Sequence, residues 1–186
     1  RRSDAPAILG VVLLYRLGDN ALTPMIKPFW VDRGYSPAEI GSVTTILGMS
    51  MTIAGAAVAG IYIARRGIWR ALVVFGVLQM LSNAGYSIAA SFDGSRPLLY
   101  GATVVENFCG GMGTAAFLAF IMSVCDRERA ATENALLTAA FAFSRSLAGS
   151  VSGVAAESLG YAPYFWLTLA LGIPGLLLLP LVRKSE

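Results

Sequence analysis

The stretch PLLYGATVVENFCGGMGTAAFLAFIMSVC, residues 97–125, carries one charged side chain, Glu106, in 29 positions. At 1.5 Å of rise per residue it makes about 43 Å of helix, more than the roughly 30 Å of a bilayer's hydrocarbon core. A segment this long and this apolar reads as a transmembrane helix, and it decides the class of the whole chain. Outward from it, five more apolar stretches share its character, at about 7–31, 38–64, 70–91, 130–157 and 162–182. In chain order these are helices one to six, with 97–125 as helix four. Short turn-forming segments separate them, among them Arg33-Gly34-Tyr35-Ser36-Pro37, Arg65-Arg66-Gly67, Asp126-Arg127-Glu128-Arg129 and Leu159-Gly160-Tyr161-Ala162-Pro163. Ser36-Pro37-Ala38-Glu39 is a helix start, with proline at the first helical position and an acid in the first turn.

Composition agrees. Of 186 residues 56% are hydrophobic and 13% charged, against roughly a quarter charged in soluble domains. The expected fold is all-α, a polytopic transmembrane six-helix bundle that leaves no length for a separate soluble domain. A disordered chain is excluded by the same numbers. There is no histidine, and the two cysteines, Cys109 and Cys125, lie 16 residues apart on helix four, about 24 Å. That is too far for a disulfide. No GxSxG, HExxH, Cys/His pair or carboxylate cluster at metal spacing occurs, so neither an enzyme, a metal site nor a cofactor is expected. The chain opens Arg1-Arg2-Ser3-Asp4 with no signal-peptide pattern, which suits a segment of a longer protein.

Basic residues set the expected orientation. Arg1, Arg2, Arg65, Arg66, Arg70, Arg127, Arg129, Arg183 and Lys184 fall on the side of both termini, nine in all, against Arg33 and Arg96 on the other. By the positive-inside rule both termini are cytoplasmic. The net charge of +3 then marks a cytoplasmic face and not a nucleic-acid partner. Phe29, Trp30, Trp69, Tyr161, Tyr164, Phe165 and Trp166 lie at helix ends, as interfacial anchors do. Small residues at Gly41, Gly48 and Gly55, at Ala56 with Gly60, and at Gly149 with Gly153 are spaced for close helix packing.

Polar groups inside the spans carry the functional information, because each is costly at bilayer depth unless paired or facing a cavity. On helix one Arg16, Asp19, Thr23 and Lys27 fall within about 80° of one another at 100° per residue. Arg16 and Asp19, three apart, can pair, and Pro24 and Pro28 should kink or loosen the same helix. The stripe is either a buried pair that fixes packing, with Lys27 reaching outward, or the lining of a cavity. On helix four Glu106-Asn107 precedes Cys109-Gly110-Gly111-Met112-Gly113. A lone mid-helix carboxyl is a candidate proton carrier, with Arg145 of helix five as a candidate partner; a static bridge between helices is the alternative. The glycines read as a close helix crossing or a hinge. On helix three Gln79, Asn83 and Tyr86 share a face suited to a polar ligand or to interhelical hydrogen bonds. Glu133 reads as a helix-start charge.

Gly60-Ile61-Tyr62-Ile63-Ala64-Arg65-Arg66-Gly67-Ile68-Trp69-Arg70 resembles the G-x-x-x-D-R-x-G-R-R loop of the major facilitator superfamily, with Ala64 in place of the acid. Three further blocks are similar, in order and spacing, to the C-terminal half of AmpG-type muropeptide permeases: Leu14 to Asp19; Gly76 to Gln79 with Ser82 to Tyr86; and Glu106 to Phe117. Ala131 to Leu137 and the Arg145 region continue the likeness. Two positions depart from those permeases. Val43-Thr44-Thr45 stands where they read Val-Asn-Lys, and Lys27 is a lysine not associated with them. The run Val31-Asp32-Arg33-Gly34 is similar to siderophore-uptake permeases.

The resemblance implies half of a twelve-helix fold in the bacterial inner membrane, packed in the bilayer against an N-terminal six-helix half. It implies import of anhydromuramyl peptides in cell-wall recycling, with protons as the coupling ion. Under it Asp19 and Glu106 are the proton-coupling candidates. Arg16, Lys27, Gln79, Asn83, Asn107 and Arg145 are the candidates for a small-molecule substrate, and Gly60, Arg65, Arg66, Gly67 and Arg70 form the loop motif. A siderophore or other small-solute permease is the alternative within the superfamily. A non-transporting membrane scaffold or sensor is the alternative outside it.

Overall fold

The computed structural model describes residues 5–92, 95–126 and 129–183. Arg1, Arg2, Arg127 and Lys184, four of the basic residues used for orientation, lie outside them. Among the described residues there are helices and turns and no strand. Helix one is two pieces, α1 (Ala5–Leu14) and α2 (Leu17–Asp32). Helix two is continuous in space but changes winding: α3 (Pro37–Ile40), a π-helical segment Gly41–Leu47, and α4 (Gly48–Arg66). Helices three, four and five are α5 (Ile68–Ser91), α6 (Arg96–Val124) and α7 (Ala130–Leu159). Helix six divides into α8 (Tyr161–Leu171) and α9 (Ile173–Arg183).

Local chemistry accounts for the joints. Ser36 caps α3 by accepting from Glu39 N at 3.2 Å, with Pro37 in the first turn. Gly67 and Gly160 share a backbone conformation, φ near +80° and ψ near +160°. Each ends one helix and starts the next: Gly67 N donates to Ile63 O and its carbonyl accepts from Ala71 N, and Gly160 does the same with Ala156 O and Tyr164 N. That region is essentially closed to residues with a Cβ. Gly67→Ala should therefore cost about 1–3 kcal/mol, read as a lowered unfolding temperature. Gly67→Asn, which gains little relief in this region, should not rescue it.

Helix one breaks at Tyr15-Arg16, not at its prolines. Pro24 and Pro28 lie inside α2, which stays helical from Leu17 to Asp32. The break is held by groups from other helices, because a backbone polar group freed within a membrane must find a partner in the protein. Ser144 Oγ on α7 donates to Leu13 O at 2.6 Å, and Tyr15 hydroxyl donates to Leu72 O at 2.7 Å. Near Pro24, Ala21 O accepts from Ser152 Oγ and Tyr164 hydroxyl at 3.1 and 2.7 Å, tying α2 to α7 and α8. The second break, at Gly172, packs beside the first: a Cβ on Gly18 would meet Thr168 O, and one on Gly175 would meet Tyr15.

Four helical segments, Pro37–Arg66, Ile68–Ser91, Arg96–Val124 and Tyr161–Pro180, are long and apolar enough to cross a membrane. The other two rods, helix one and α7, are those that carry Arg16, Asp19, Lys27 and Arg145. Two apolar cores fill the bundle. The first gathers Val11, Val12, Leu72, Phe75, Phe117 and Phe120 at the end holding the termini. The second gathers Leu22, Phe29, Trp30, Tyr86, Leu99 and Phe165 at the other end. Phe29, Trp30, Tyr164 and Phe165 are thus buried core groups and not interfacial anchors; Trp166 is about half exposed.

The close-packing glycines also divide. Along the α4–α6 crossing, a Cβ on Gly55 would strike Phe108 O, and one on Gly111 would strike Thr52 O, while Gly48 faces Asn107. Gly41, Gly60 and Gly153 have open space instead. No hinge forms at the glycine run, since α6 is unbroken from Arg96 to Val124.

Candidate functional site

A polar layer lies between the two cores. Arg16, at the break of helix one, forms an ion pair with Asp19 and donates through Nη1 to Thr114 Oγ1 at 2.5 Å. Thr114 in turn donates to Gly110 O. The other oxygen of Asp19, Oδ1, accepts from Gln79 Nε2 at 2.5 Å. Glu106, buried like Asp19, borders the same cluster, its Oε1 3.7 Å from the point a Cβ on Gly110 would occupy. Gly110 and Gly113 make room for this cluster: Gly110 faces Gln79 and Glu106, and Gly113 faces Arg16. Of the three glycines in the run Gly110–Gly113, two therefore serve the charges and one serves the helix crossing.

The layer opens on a cavity of about 450 Å³. Helix one contributes Arg16, Asp19, Thr23 and Lys27, the whole stripe read from the sequence, and helix two contributes Thr44, Thr45, Met49 and Thr52. Glu106, Asn107, Gly110 and Thr114 come from α6, with Arg145 from α7. Three cations thus face two carboxyls. Arg16 is committed to Asp19. Lys27 and Arg145 are exposed to the cavity, and neither has an ion-pair or hydrogen-bond partner among the described residues. Arg145 does not bridge to Glu106.

Gln79 and Asn83 do not line this cavity. They are buried on α5 and border a smaller void of about 20 Å³ with Tyr15, Gly18 and Met80, while Tyr86, on the same face, does reach the main cavity and pairs its hydroxyl with Thr103 at 2.9 Å. Asn107 sits at the cavity edge, its Nδ2 given to Thr103 O at 2.8 Å and its Oδ1 near Thr52.

Over residues 8–186 the sequence matches the family model of the Major Facilitator Superfamily. The chain belongs to the major facilitator superfamily. It is 38% identical over 185 residues to the anhydromuropeptide permease of Escherichia coli (strain K12), covering 99% of this chain and 38% of that protein. It is 35% identical over 179 residues to a putative transporter, AmpG 1, of Rickettsia prowazekii (strain Madrid E), covering 96% of this chain and 40% of the relative. A further relative, putative transporter AmpG 4 of Rickettsia conorii, is 29% identical over 179 residues. The chain spans well under half the length of these relatives.

In this superfamily member the loop-motif residues are remote from the cavity. Gly67 supplies the positive-φ joint, Arg65 and Arg66 close α4, and Arg66 and Arg70 flank Trp69 at a surface pocket. Gly60 has no close neighbour. What the sequence reading missed is hydroxyl chemistry: Thr114 as the acceptor that orients Arg16, and Thr44, Thr45 and Thr52 on the cavity wall. Thr103, Glu106/Asn107, Gly110 and Thr114, three or four apart along α6, carried that signal. The π-helical segment, which carries Thr44 and Thr45 of the Val43-Thr44-Thr45 departure, has no comparable signature in sequence.

Proposed function

We propose that the chain is the C-terminal half of a proton-coupled importer of anhydromuramyl peptides, a transporter and not an enzyme, in the bacterial inner membrane with both ends of this segment cytoplasmic. The single observation that carries the reading is the cavity itself, which Lys27 and Arg145, two cations with no partner among the described residues, line together with the buried carboxyls Asp19 and Glu106. An anionic solute bearing carboxylates suits such a wall. The similarity to an anhydromuropeptide permease along almost the whole chain supports that substrate class.

Substrate would bind near the membrane midplane between this bundle and an N-terminal six-helix half. Lys27 and Arg145 would meet its carboxylates, and Asn107 and the threonines its hydroxyls and amides. Asp19 or Glu106 would exchange the proton, and neutralising one carboxyl would shift the balance between inward- and outward-facing states. In the full-length protein, Lys27→Met and Arg145→Met should each raise KM for anhydromuramyl peptide roughly 10- to 100-fold, the worth of one charge-assisted hydrogen bond. Glu106→Gln together with Asp19→Asn should abolish proton-dependent uptake. Retained coupling in the double variant would refute the carboxyl assignment. Competition by a ferric siderophore but not by anhydromuramyl peptide would refute the substrate.

A further inference from the structure

The pocket at the start of α5 lies where two membrane spans end. The span Ile68–Ser91 begins on one side of it and the span Tyr161–Pro180 finishes on the other, so its depth is that of the headgroups and not of the acyl core. The cavity, of about 280 Å³, has a basic wall from Arg66 and Arg70, with Trp69 between them in sequence, and an apolar wall from Ile68, Leu179 and Pro180. Among the described residues no carboxylate lines it. Arg66 and Arg70 have no ion-pair or hydrogen-bond partner among the described residues, and Ala64 leaves the loop without the acid that its motif would carry. Arg65, also exposed, does not line the pocket.

The two helices that bound the pocket stand away from the polar cavity. Of the α5 side chains only Tyr86 reaches that cavity, and none from α9 does, so an N-terminal half covering the cavity would leave this end of α5 and α9 to the lipid. Within the next turns of the same helices, Val73, Val74 and Val77 on α5 and Leu177 on α9 are exposed, an apolar surface that an acyl chain can follow. Two guanidiniums without a counter-ion, beside such a surface and at headgroup depth, suit a ligand that carries both an anion and a hydrocarbon tail. A zwitterionic headgroup brings its own ammonium towards the arginines, whereas a headgroup of net negative charge does not.

We propose that this pocket holds the phosphate of an anionic phospholipid, with Arg66 and Arg70 as its ligands and an acyl chain lying along α5 and α9. The bound lipid bridges the α4–α5 corner at Gly67 to the end of helix six. The site is separate from the cavity, and its occupancy does not depend on what the cavity carries.

Native mass spectrometry of the full-length protein, released from detergent and titrated with phosphatidylglycerol or phosphatidylcholine, tests the site, with inorganic phosphate as competitor. The wild type should retain one phosphatidylglycerol more than the variant combining Arg66→Gln with Arg70→Gln, and should bind it about 10- to 30-fold more tightly than phosphatidylcholine. Each single variant should weaken that binding about fivefold and the two together about 30-fold, at about 1 kcal/mol per arginine near a membrane surface. Arg65→Gln should leave it unchanged. The single variants, each of which keeps an arginine at the pocket, carry the test if the double variant does not insert. The inference is overturned if Arg65→Gln weakens binding as much as the pocket variants do, since the whole basic surface then attracts lipid. Equal binding of phosphatidylcholine would overturn it too, and displacement of the lipid by inorganic phosphate would make free phosphate the ligand instead.

Discussion

Gly111→Ala is expected to destabilise the full-length protein by about 1–3 kcal/mol, the cost of forcing one methyl group into filled space. This is so although alanine is the better helix former by roughly 1 kcal/mol. The new Cβ would run into the carbonyl oxygen of Thr52, and a backbone atom cannot turn aside as a side chain can. The α4–α6 crossing must widen, and with it the wall that carries Thr52 and Asn107. Gly55→Ala, which meets Phe108 O from the other side of the same crossing, should behave alike. Gly153 belongs to an equally good small-residue pair but has open space around it, so Gly153→Ala should be neutral or slightly stabilising. Thermal unfolding of the detergent-solubilised protein separates the cases. If all three alanine variants melt together, the crossing is not held by backbone contact.

Arg16→Leu is expected to cost about 3–5 kcal/mol, because it leaves the Asp19 carboxylate buried with a single amide donor. The pair is nearly sealed, with side-chain exposures of 11% and 7%, so water from the cavity replaces only part of the lost cation. Arg16→Leu combined with Asp19→Asn should recover most of that loss, since an amide can still use Gln79 and needs no counter-ion. The same unfolding assay reads both. A double variant no more stable than Arg16→Leu alone would mean that Arg16 acts through Thr114 and the helix break instead of through Asp19. The two experiments probe different forces. The first concerns backbone approach between helices, and the second the desolvation of an ion.

Particular residues show how much of this was legible in the sequence. The stripe Arg16, Asp19, Thr23 and Lys27 was readable because α-helical rotation is the same in any context, and all four line one cavity. Cavity-facing Glu106 was readable because a carboxyl in an apolar span is conspicuous. The helix break was not, since Tyr15-Arg16 has no proline or glycine and is stabilised by Ser144, 131 residues from its acceptor Leu13. The sorting of glycines was equally hidden: Gly55 and Gly60 look alike in sequence, yet only Gly55 meets another helix. Gln79, Asn83 and Tyr86 shared a face on paper, and the packing of α2 and α6 against α5 sent two inward and one to the cavity.

By itself, then, the sequence determined the all-α membrane class and the set of polar groups that had to be hidden from lipid, because the bilayer imposes apolar length and helical rotation on each span regardless of its neighbours. Only the tertiary structure decided which of those groups are spent on one another and which face the cavity unpaired. That depends on partners as far apart in sequence as Arg16 and Thr114, 98 residues, brought together by packing that leaves no local trace in the chain.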